Sequence, residues 1–272
     1  MEGLYLYCIR EKTAEHSAFS IKGIDGNGEV FAIPYRELEA IVSKVSLEEF
    51  ESNEIQKKSQ EDLCWIKEKA LVHEKVIEET MINKDNFLSV IPMRFGTIFK
   101  EKASLEEALN KDYAKIKEVL EKIRGKQEWS VKIYLKDRRK LEQAVKEKNE
   151  AIKEKEKEIA SLPEGMAFFM EAELQEVIAN EMDRELKNII DVLFESLKKK
   201  TADSIRNKIL EKELTGRSEP MVLNAAYLII EEKIEDFKKE IEALNQKMQA
   251  KGVYLEYSGP WPVYSFTAYK KA

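Results

Sequence analysis

The sequence predicts an α+β chain of two domains, an expectation that rests on three observations. Alternating β-formers open the chain from Leu4 to Ile9 and return in short blocks, whereas the stretch from Asp137 to Leu197 is almost wholly helical in pattern. A length of 272 residues suits two domains better than one. A helix stop at Gly125, followed at once by a β-rich block, places the boundary between a domain of residues 1–125 and one of residues 126–272.

In the first domain, Leu4, Leu6 and Cys8 alternate with Tyr5, Tyr7 and Ile9. Both sets are apolar, so this strand belongs at the centre of a small sheet, covered on both faces. The glycine-rich segment from Gly23 to Gly28 turns the chain into a strand from Glu29 to Ile33. Ala40 to Val45 reads as a third strand, with a helix beginning near Arg36 as the alternative. Ser46-Leu47-Glu48-Glu49 has capping-box spacing and opens a short helix. From Glu61 a longer helix carries two apolar stripes, one through Leu63, Ile66, Ala70, Ile77 and Met81 and another through Trp65, Val72 and Val76, which predicts a sandwiched helix. Phe87 to Ile91 is a strand closed by Pro92, and Ser104-Leu105-Glu106-Glu107 offers a second capping box for a helix that runs to Ile123.

The second domain opens with a strand from Glu128 to Leu135. Lys and Glu then alternate around a narrow seam of Leu141, Val145, Ile152 and Ile159. After the turn at Leu162-Pro163-Glu164-Gly165, a fuller stripe from Met166 through Met170, Leu174, Val177, Leu186, Ile190 and Leu193 to Leu197 can cover it, so residues 137–200 form a long helical hairpin. Met221 to Ile230 is a strand, Glu231 to Lys251 an amphipathic helix, and Val253 to Tyr257 a final strand. This order predicts a ferredoxin-like sheet with an enlarged helical layer. Residues 258–272, with Trp261 held between Pro260 and Pro262, are expected to cross this second domain as a strap and complete it.

Composition narrows the function. The chain carries 46 Lys and Arg against 52 Asp and Glu, a formal net charge of −6, with no basic stripe to follow a polyanion, so no nucleic-acid partner is expected. The longest apolar run, Met221 to Ile230, is far short of the roughly 20 residues that span a bilayer. The acidic, β-rich start lacks the basic leader of a secretion signal. Two cysteines neither frame disulfides nor space a metal site, which points to buried thiols in a reducing cytoplasm. No glycine-rich phosphate loop follows a strand. Cys64 and His73 fall on opposite sides of one helix and so form no nucleophile and base pair, and His73 reads as a core imidazole. The expectation is a protein without cofactor, metal or catalytic residue. Two alternatives stand: a small-molecule enzyme with a cleft around His73 and Arg94, or a coiled-coil adaptor that dimerises through Asp137 to Leu197. Arg94, a fixed cation between Met93 and Phe95, is expected to anchor the first domain through a buried ion pair, or else to face a partner.

At these residues the chain resembles the gas vesicle protein F/L family over nearly its whole length. Tyr5-Leu6-Tyr7 resembles that family's opening strand, Gly23-Ile24 its first turn, Ala40 to Val45 its next strand, and Trp65 and His73 its helix landmarks. The most specific matches are Pro92-Met93-Arg94-Phe95-Gly96-Thr97 and the end segment Gly259-Pro260-Trp261-Pro262 with Tyr264-Ser265-Phe266. Cys8, where many members have glycine, and Val263, where a further proline is common, depart from the pattern. The resemblance implies a two-domain protein whose second domain is a modified ferredoxin fold. It also implies a non-enzymatic, cytoplasmic, gas vesicle-associated assembly factor, whose partners are the hydrophobic gas vesicle shell protein and other accessory gas vesicle proteins. The first domain is the expected contact, with Tyr5, Tyr7 and Trp65 as candidate anchors beside Arg94, although each aromatic also reads as core.

Overall fold

The computed structural model describes residues 1–13, 19–50, 58, 62–83 and 86–267. The first unit is organised on β1 (Glu2–Glu11), which is central as expected. It pairs antiparallel with β3 (Leu38–Ser46) on one side and with β6 (Val90–Pro92) and β7 (Ile98–Phe99) on the other. β2 (Val30–Tyr35) lies outside β3, and this edge position tolerates Pro34, whose missing donor no neighbour requires. The β2–β3 turn passes through Arg36 in a left-handed conformation, so the helix alternative at this point falls away.

A β-bulge interrupts the strict alternation of β1. Leu6 lies opposite Val42 and Cys8 opposite Ile41, which leaves Tyr7 as the extra residue. One extra residue exchanges the faces beyond it, and Cys8 therefore joins Tyr5 and Tyr7 in one core cluster instead of siding with Leu6. The same shift brings Arg10 to the C-terminal end of the long helix. Its guanidinium donates to Glu39 Oε2 from Nε at 3.1 Å and from Nη2 at 3.0 Å, and to the Thr80 carbonyl at 3.4 Å. Arg10 is 2% exposed and Glu39, directly opposite it in register, 7%. Arg10 and Glu39 thus form the buried ion pair that the sequence reading assigned to Arg94.

Helix α1 (Leu47–Phe50) follows β3, and α2 (Leu63–Thr80) starts at Asp62, whose carboxylate accepts from the Trp65 amide at 2.9 Å. Only one face of α2 is buried, through Lys69, His73, Val76, Ile77 and Thr80, whereas Leu63, Cys64 and Leu71 are exposed. The expected sandwiching, and the expected burial of Cys64, are both replaced by this one-sided arrangement. The strand expected over Phe87 to Ile91 is divided between β5 (Asn86–Phe87), which pairs with β4 (Ile82–Asn83) in a two-residue ladder, and β6. Helix α3 (Lys102–Ile123) buries Leu105, Leu109, Ile116, Leu120 and Ile123. It begins before Ser104, whose hydroxyl donates to the Glu101 carbonyl at 2.8 Å, so no capping box forms there.

In the second unit β8 (Lys126–Leu135), β9 (Asp203–Arg206), β10 (Met221–Ile230) and β11 (Val253–Trp261) lie in the order β11-β8-β10-β9. Between β8 and β9 run α4 (Arg138–Lys148), α5 (Glu150–Ala160) and α6 (Glu164–Lys198), and after the short α7 (Lys212–Thr215) and β10 comes α8 (Ile234–Met248). The seam residues Leu141, Val145, Ile152 and Ile159 pack in one core with Leu174, Ile178, Met182, Ile189 and Leu193. Asn149 divides the seam, its side chain accepting from the amides of Ala151 and Ile152, so the seam serves this unit's own core and is not one continuous coiled-coil helix. β9 was not foreseen: Asp-Ser-Ile-Arg is a short polar edge strand without apolar alternation. Asn245 covers the backbone of Leu255 in β11, accepting from its amide at 3.1 Å and donating to its carbonyl at 3.3 Å.

The two compact units are Met1–Glu128 together with the chain from Pro260 onward, and Trp129–Gly259. Of the strap expected over residues 258–272 in the second unit, Ser258 and Gly259 group with that unit and the chain from Pro260 with the first, and the division near Gly125 falls just inside β8. The cause is a set of polar ties from Tyr264 and Ser265 to Glu74 and Glu128. Glu39→Gln should lower unfolding stability by about 3–5 kcal/mol, read from the denaturant midpoint, because the buried guanidinium of Arg10 loses the carboxylate directly opposite it. A double replacement, Arg10→Met with Glu39→Leu, should recover most of that loss.

Candidate functional site

The sequence motifs of the first unit converge on one buried polar network. Tyr5 and Tyr7, both 0% exposed, extend from β1 with ring centroids 4.8 Å apart, and His73 from α2 lies 5.6 Å from the first ring and 5.7 Å from the second. His73 Nε2 is 3.1 Å from the Met93 carbonyl, which only accepts, so Nε2 carries the proton. His73 Nδ1, 3.0 Å from the Tyr5 hydroxyl, then accepts from it. The Tyr5 oxygen accepts in turn from the Gly96 amide at 3.0 Å. Burial holds the imidazole neutral, pushing its pKa down from 6.5 to about 4, and pushes the Tyr5 phenol above its ordinary value.

Tyr7 ties down the glycine turn. Its hydroxyl accepts from the Ile24 amide at 2.7 Å and lies 2.8 Å from Ser43 Oγ, and burial raises its pKa to about 12. A side chain at Gly23 would place its Cβ 2.6 Å from both Cβ and Oγ of Ser43, so the close approach that forms this network requires glycine. Cys8, in the same cluster, is a buried thiol whose pKa is pushed up to about 12 by desolvation.

The Pro92–Thr97 loop is held from beneath by this network. The Met93 amide donates to the Tyr7 carbonyl at 2.8 Å, the Leu6 amide donates to the Thr97 carbonyl at 2.8 Å, and the Thr97 hydroxyl donates to the Arg94 carbonyl at 2.7 Å. Gly96 takes φ +81°, a conformation that side chains disfavour. Pro92 and Met93 are buried, Phe95 packs 5.9 Å from the His73 ring, and Arg94 is exposed. Arg94 is therefore displayed on a fixed turn and is not a buried anchor.

The strap closes the other side of His73. Tyr264 donates to Glu74 Oε2 at 2.9 Å, with its oxygen 3.4 Å from His73 Nε2. Ser265 donates to Glu128 twice, from its amide at 3.0 Å and its hydroxyl at 2.6 Å. Desolvation raises the buried Glu128 carboxyl from 4.5 to about 7. Pro262, Val263, Phe266 and Thr267 are buried, whereas Gly259, Pro260 and Trp261 remain exposed. Of the expected partner anchors, Tyr5 and Tyr7 are core residues unable to meet a partner. Trp65 is half-buried against Phe50, with the Lys58 ammonium 4.4 Å above its ring, and Arg94 is free of the core. The network unites Tyr5, His73, the Pro92–Thr97 loop and Tyr264; sequence reasoning singled out each of these but missed Ser43, Glu74 and Glu128, which have no local signature.

The family model described as "Gas vesicle synthesis protein GvpL/GvpF" matches residues 3–268. Gas vesicle protein F of Nostoc sp. (strain PCC 7120) is 28% identical over 197 residues, covering 71% of this chain and 75% of that one. Gas vesicle protein L1 of Halobacterium salinarum is 25% identical over 270 residues, covering 97% and 90%. The crystal structure of GvpF from Anabaena sp. PCC7120 superposes with a TM-score of 0.74 at 22% identity and 100% coverage of both chains, and that of GvpF from Microcystis aeruginosa with 0.65 at 23%. These solved structures share the mixed helix and sheet fold.

Two opposed pH dependences follow from the network. The unfolded chain takes up a proton on His73 below pH 6.5 that the folded chain refuses until about 4, so this group makes stability rise with pH across that window. Glu128 holds its proton in the fold up to about 7 against 4.5 unfolded, so it makes stability fall as pH rises through its window. Each effect is on the order of 3 kcal/mol by the size of the shift. Urea midpoints should show stability rising more steeply from pH 4.5 to 6.5 in Glu128→Gln than in the parent chain, and falling over the same range in His73→Gln.

Proposed function

This chain belongs to the GvpL/GvpF family of gas vesicle synthesis proteins, and from that membership we propose that it is a non-enzymatic assembly factor that binds the hydrophobic gas vesicle shell protein during nucleation. The observation that carries the contact is the display of Arg94: an exposed guanidinium on a turn whose backbone is fixed by the Tyr5, Tyr7 and His73 network. A preset loop meets a partner without ordering cost. In the same unit, α2 exposes Leu63, Ala70 and Leu71 at helical spacing, an apolar strip suited to an apolar subunit.

The chemistry of the network supports binding over catalysis. Both nitrogens of His73 are engaged with protein groups and its ring is buried, so it is a poor general base for a substrate shared with exposed Arg94. No helix among the described residues is long and apolar enough to cross a membrane. In this reading the protein acts in the cytoplasm at the growing vesicle and also meets other accessory gas vesicle proteins. Purified full-length chain should retain purified shell protein in a pull-down and lower its light scattering. Arg94→Glu, or Leu63→Ser with Leu71→Ser, should weaken retention by about tenfold at unchanged melting temperature. Equal retention by all three would remove Arg94 and α2 as the contact, and no retention by the parent chain would remove direct shell binding.

A further inference from the structure

The N-terminal end of α6 is helical without being buried. From Glu164 to Glu173 only Ala167 and Met170 are half-buried against the core, and the first fully buried residue of α6 is Leu174. This stretch nevertheless carries Met166, Phe168 and Phe169, exposed by 57%, 70% and 73%. The two phenyl rings meet edge to face with centroids 5.9 Å apart, one solvent-facing aromatic pair on a regular helix. Large apolar side chains gathered this way on a soluble surface mark an interaction site.

A groove of about 430 Å³ runs beside them between α5 and α6. Ile159, Ala160, Phe168 and Ala172 line it together with Glu156 and Glu171. The alanines leave room for a side chain supplied from outside. Charge here has one sign along α6: Glu164, Glu171, Glu173, Glu176, Glu181 and Asp183 occur with no Lys or Arg among them before Arg184. Glu156 on the facing helix is shared with Lys146 at 3.4 Å, so the excess comes from α6.

We propose that this hairpin tip is a docking site for a basic amphipathic helix of another protein, whose apolar residue enters the α5–α6 groove against Phe168 while its Lys or Arg side chains meet Glu171 and its acidic neighbours. The pattern is that of a helix seated in a groove, with the apolar contact giving affinity and the rim charges giving orientation. The acidic helix disfavours an anionic lipid surface, and a second copy of this chain would bring the same acids toward one another. The site lies in the second unit and is independent of the shell-binding reading built on Arg94 and α2.

The test uses the full-length chain and two fluorescent helical peptides of equal apolar pattern, one with lysine and one with glutamate on the polar face. Fluorescence anisotropy should show binding of the lysine peptide only. Phe168→Ser with Phe169→Ser should weaken it by about tenfold or more, and Glu171→Lys by several-fold, at unchanged melting temperature. Arg94→Glu should leave it unchanged. Absence of lysine-peptide binding, equal binding of both peptides, or full binding by the Phe168→Ser, Phe169→Ser variant would each overturn the proposal. Sedimentation equilibrium supplies the remaining arm: a dimer lost in the double variant would assign the surface to a second copy and overturn it as well.

Discussion

A neutral imidazole in the core is the constraint on which the first unit depends. His73, carried by α2, sits where that helix meets β1, the Pro92–Thr97 loop and the strap, and these three bring Tyr5, the Met93 carbonyl and Tyr264 to its ring. A buried donor or acceptor without a partner costs about 1–3 kcal/mol, so the network has one satisfied arrangement and penalises the others. That arrangement reaches beyond the histidine. Because the Tyr5 proton is spent on Nδ1, the Tyr5 oxygen is free to accept from Gly96, and the left-handed backbone at Gly96 then sets the path of the loop. A cationic ring would have to donate from both nitrogens, and Tyr5 would have to accept from two donors at once, which its burial makes costly.

The bulge at Tyr7 is the second device, and its effects extend along the strand. Without the extra residue, Cys8 would face the opposite side of the sheet from Tyr5, and Arg10 would turn away from Thr80. With it, the strand presents two tyrosines, a thiol and a guanidinium to one layer, and the ion pair with Glu39 closes the far end of the core that His73 closes nearer the loop. A charge pair is a costly way to fill space, but it fixes register across β1 and β3, because a one-residue slip would bury both charges apart.

What could be read from the sequence was whatever depends on neighbours along the chain. The central position of β1, the strand at Ala40 to Val45, the burial of Leu141, Val145, Ile152 and Ile159, and the long helix expected from Glu61 follow from periodicity, and the structure contains them, the helix as Leu63–Thr80. The candidate site was legible as separate landmarks, Tyr5, Tyr7, His73, Pro92–Thr97 and Tyr264, but not as a site. Its connections join residues far apart in sequence, such as Ser265 with Glu128, and no local pattern encodes them. For the same reason the local pattern points to Arg94 as the buried cation: Met93 and Phe95 flank it, whereas Glu11 and Lys12 follow Arg10, whose burial depends on Glu39, 29 residues away in sequence. The bulge and the edge strand β9 are properties of pairing, which single-strand alternation cannot reveal.

The two units treat their exposed functional groups in the same physical way, by spending core interactions on positioning what lies outside the core. In the first, hydrogen bonds beneath the loop hold Arg94 while its own side chain contributes nothing to burial. In the second, the residues of α6 from Leu174 to Leu197 anchor a helix of 35 residues, and its first ten continue that axis with only Ala167 and Met170 half-buried. An isolated segment of that length would not remain helical, because nucleation is unfavourable and few backbone bonds follow. Carried as an extension of an anchored helix, and packed against the core through Ala167 and Met170, it is ordered before any partner arrives. The aromatic pair at Phe168 and Phe169 therefore meets a ligand with two rotatable angles per side chain and a fixed backbone, so little of its contact energy is spent on ordering.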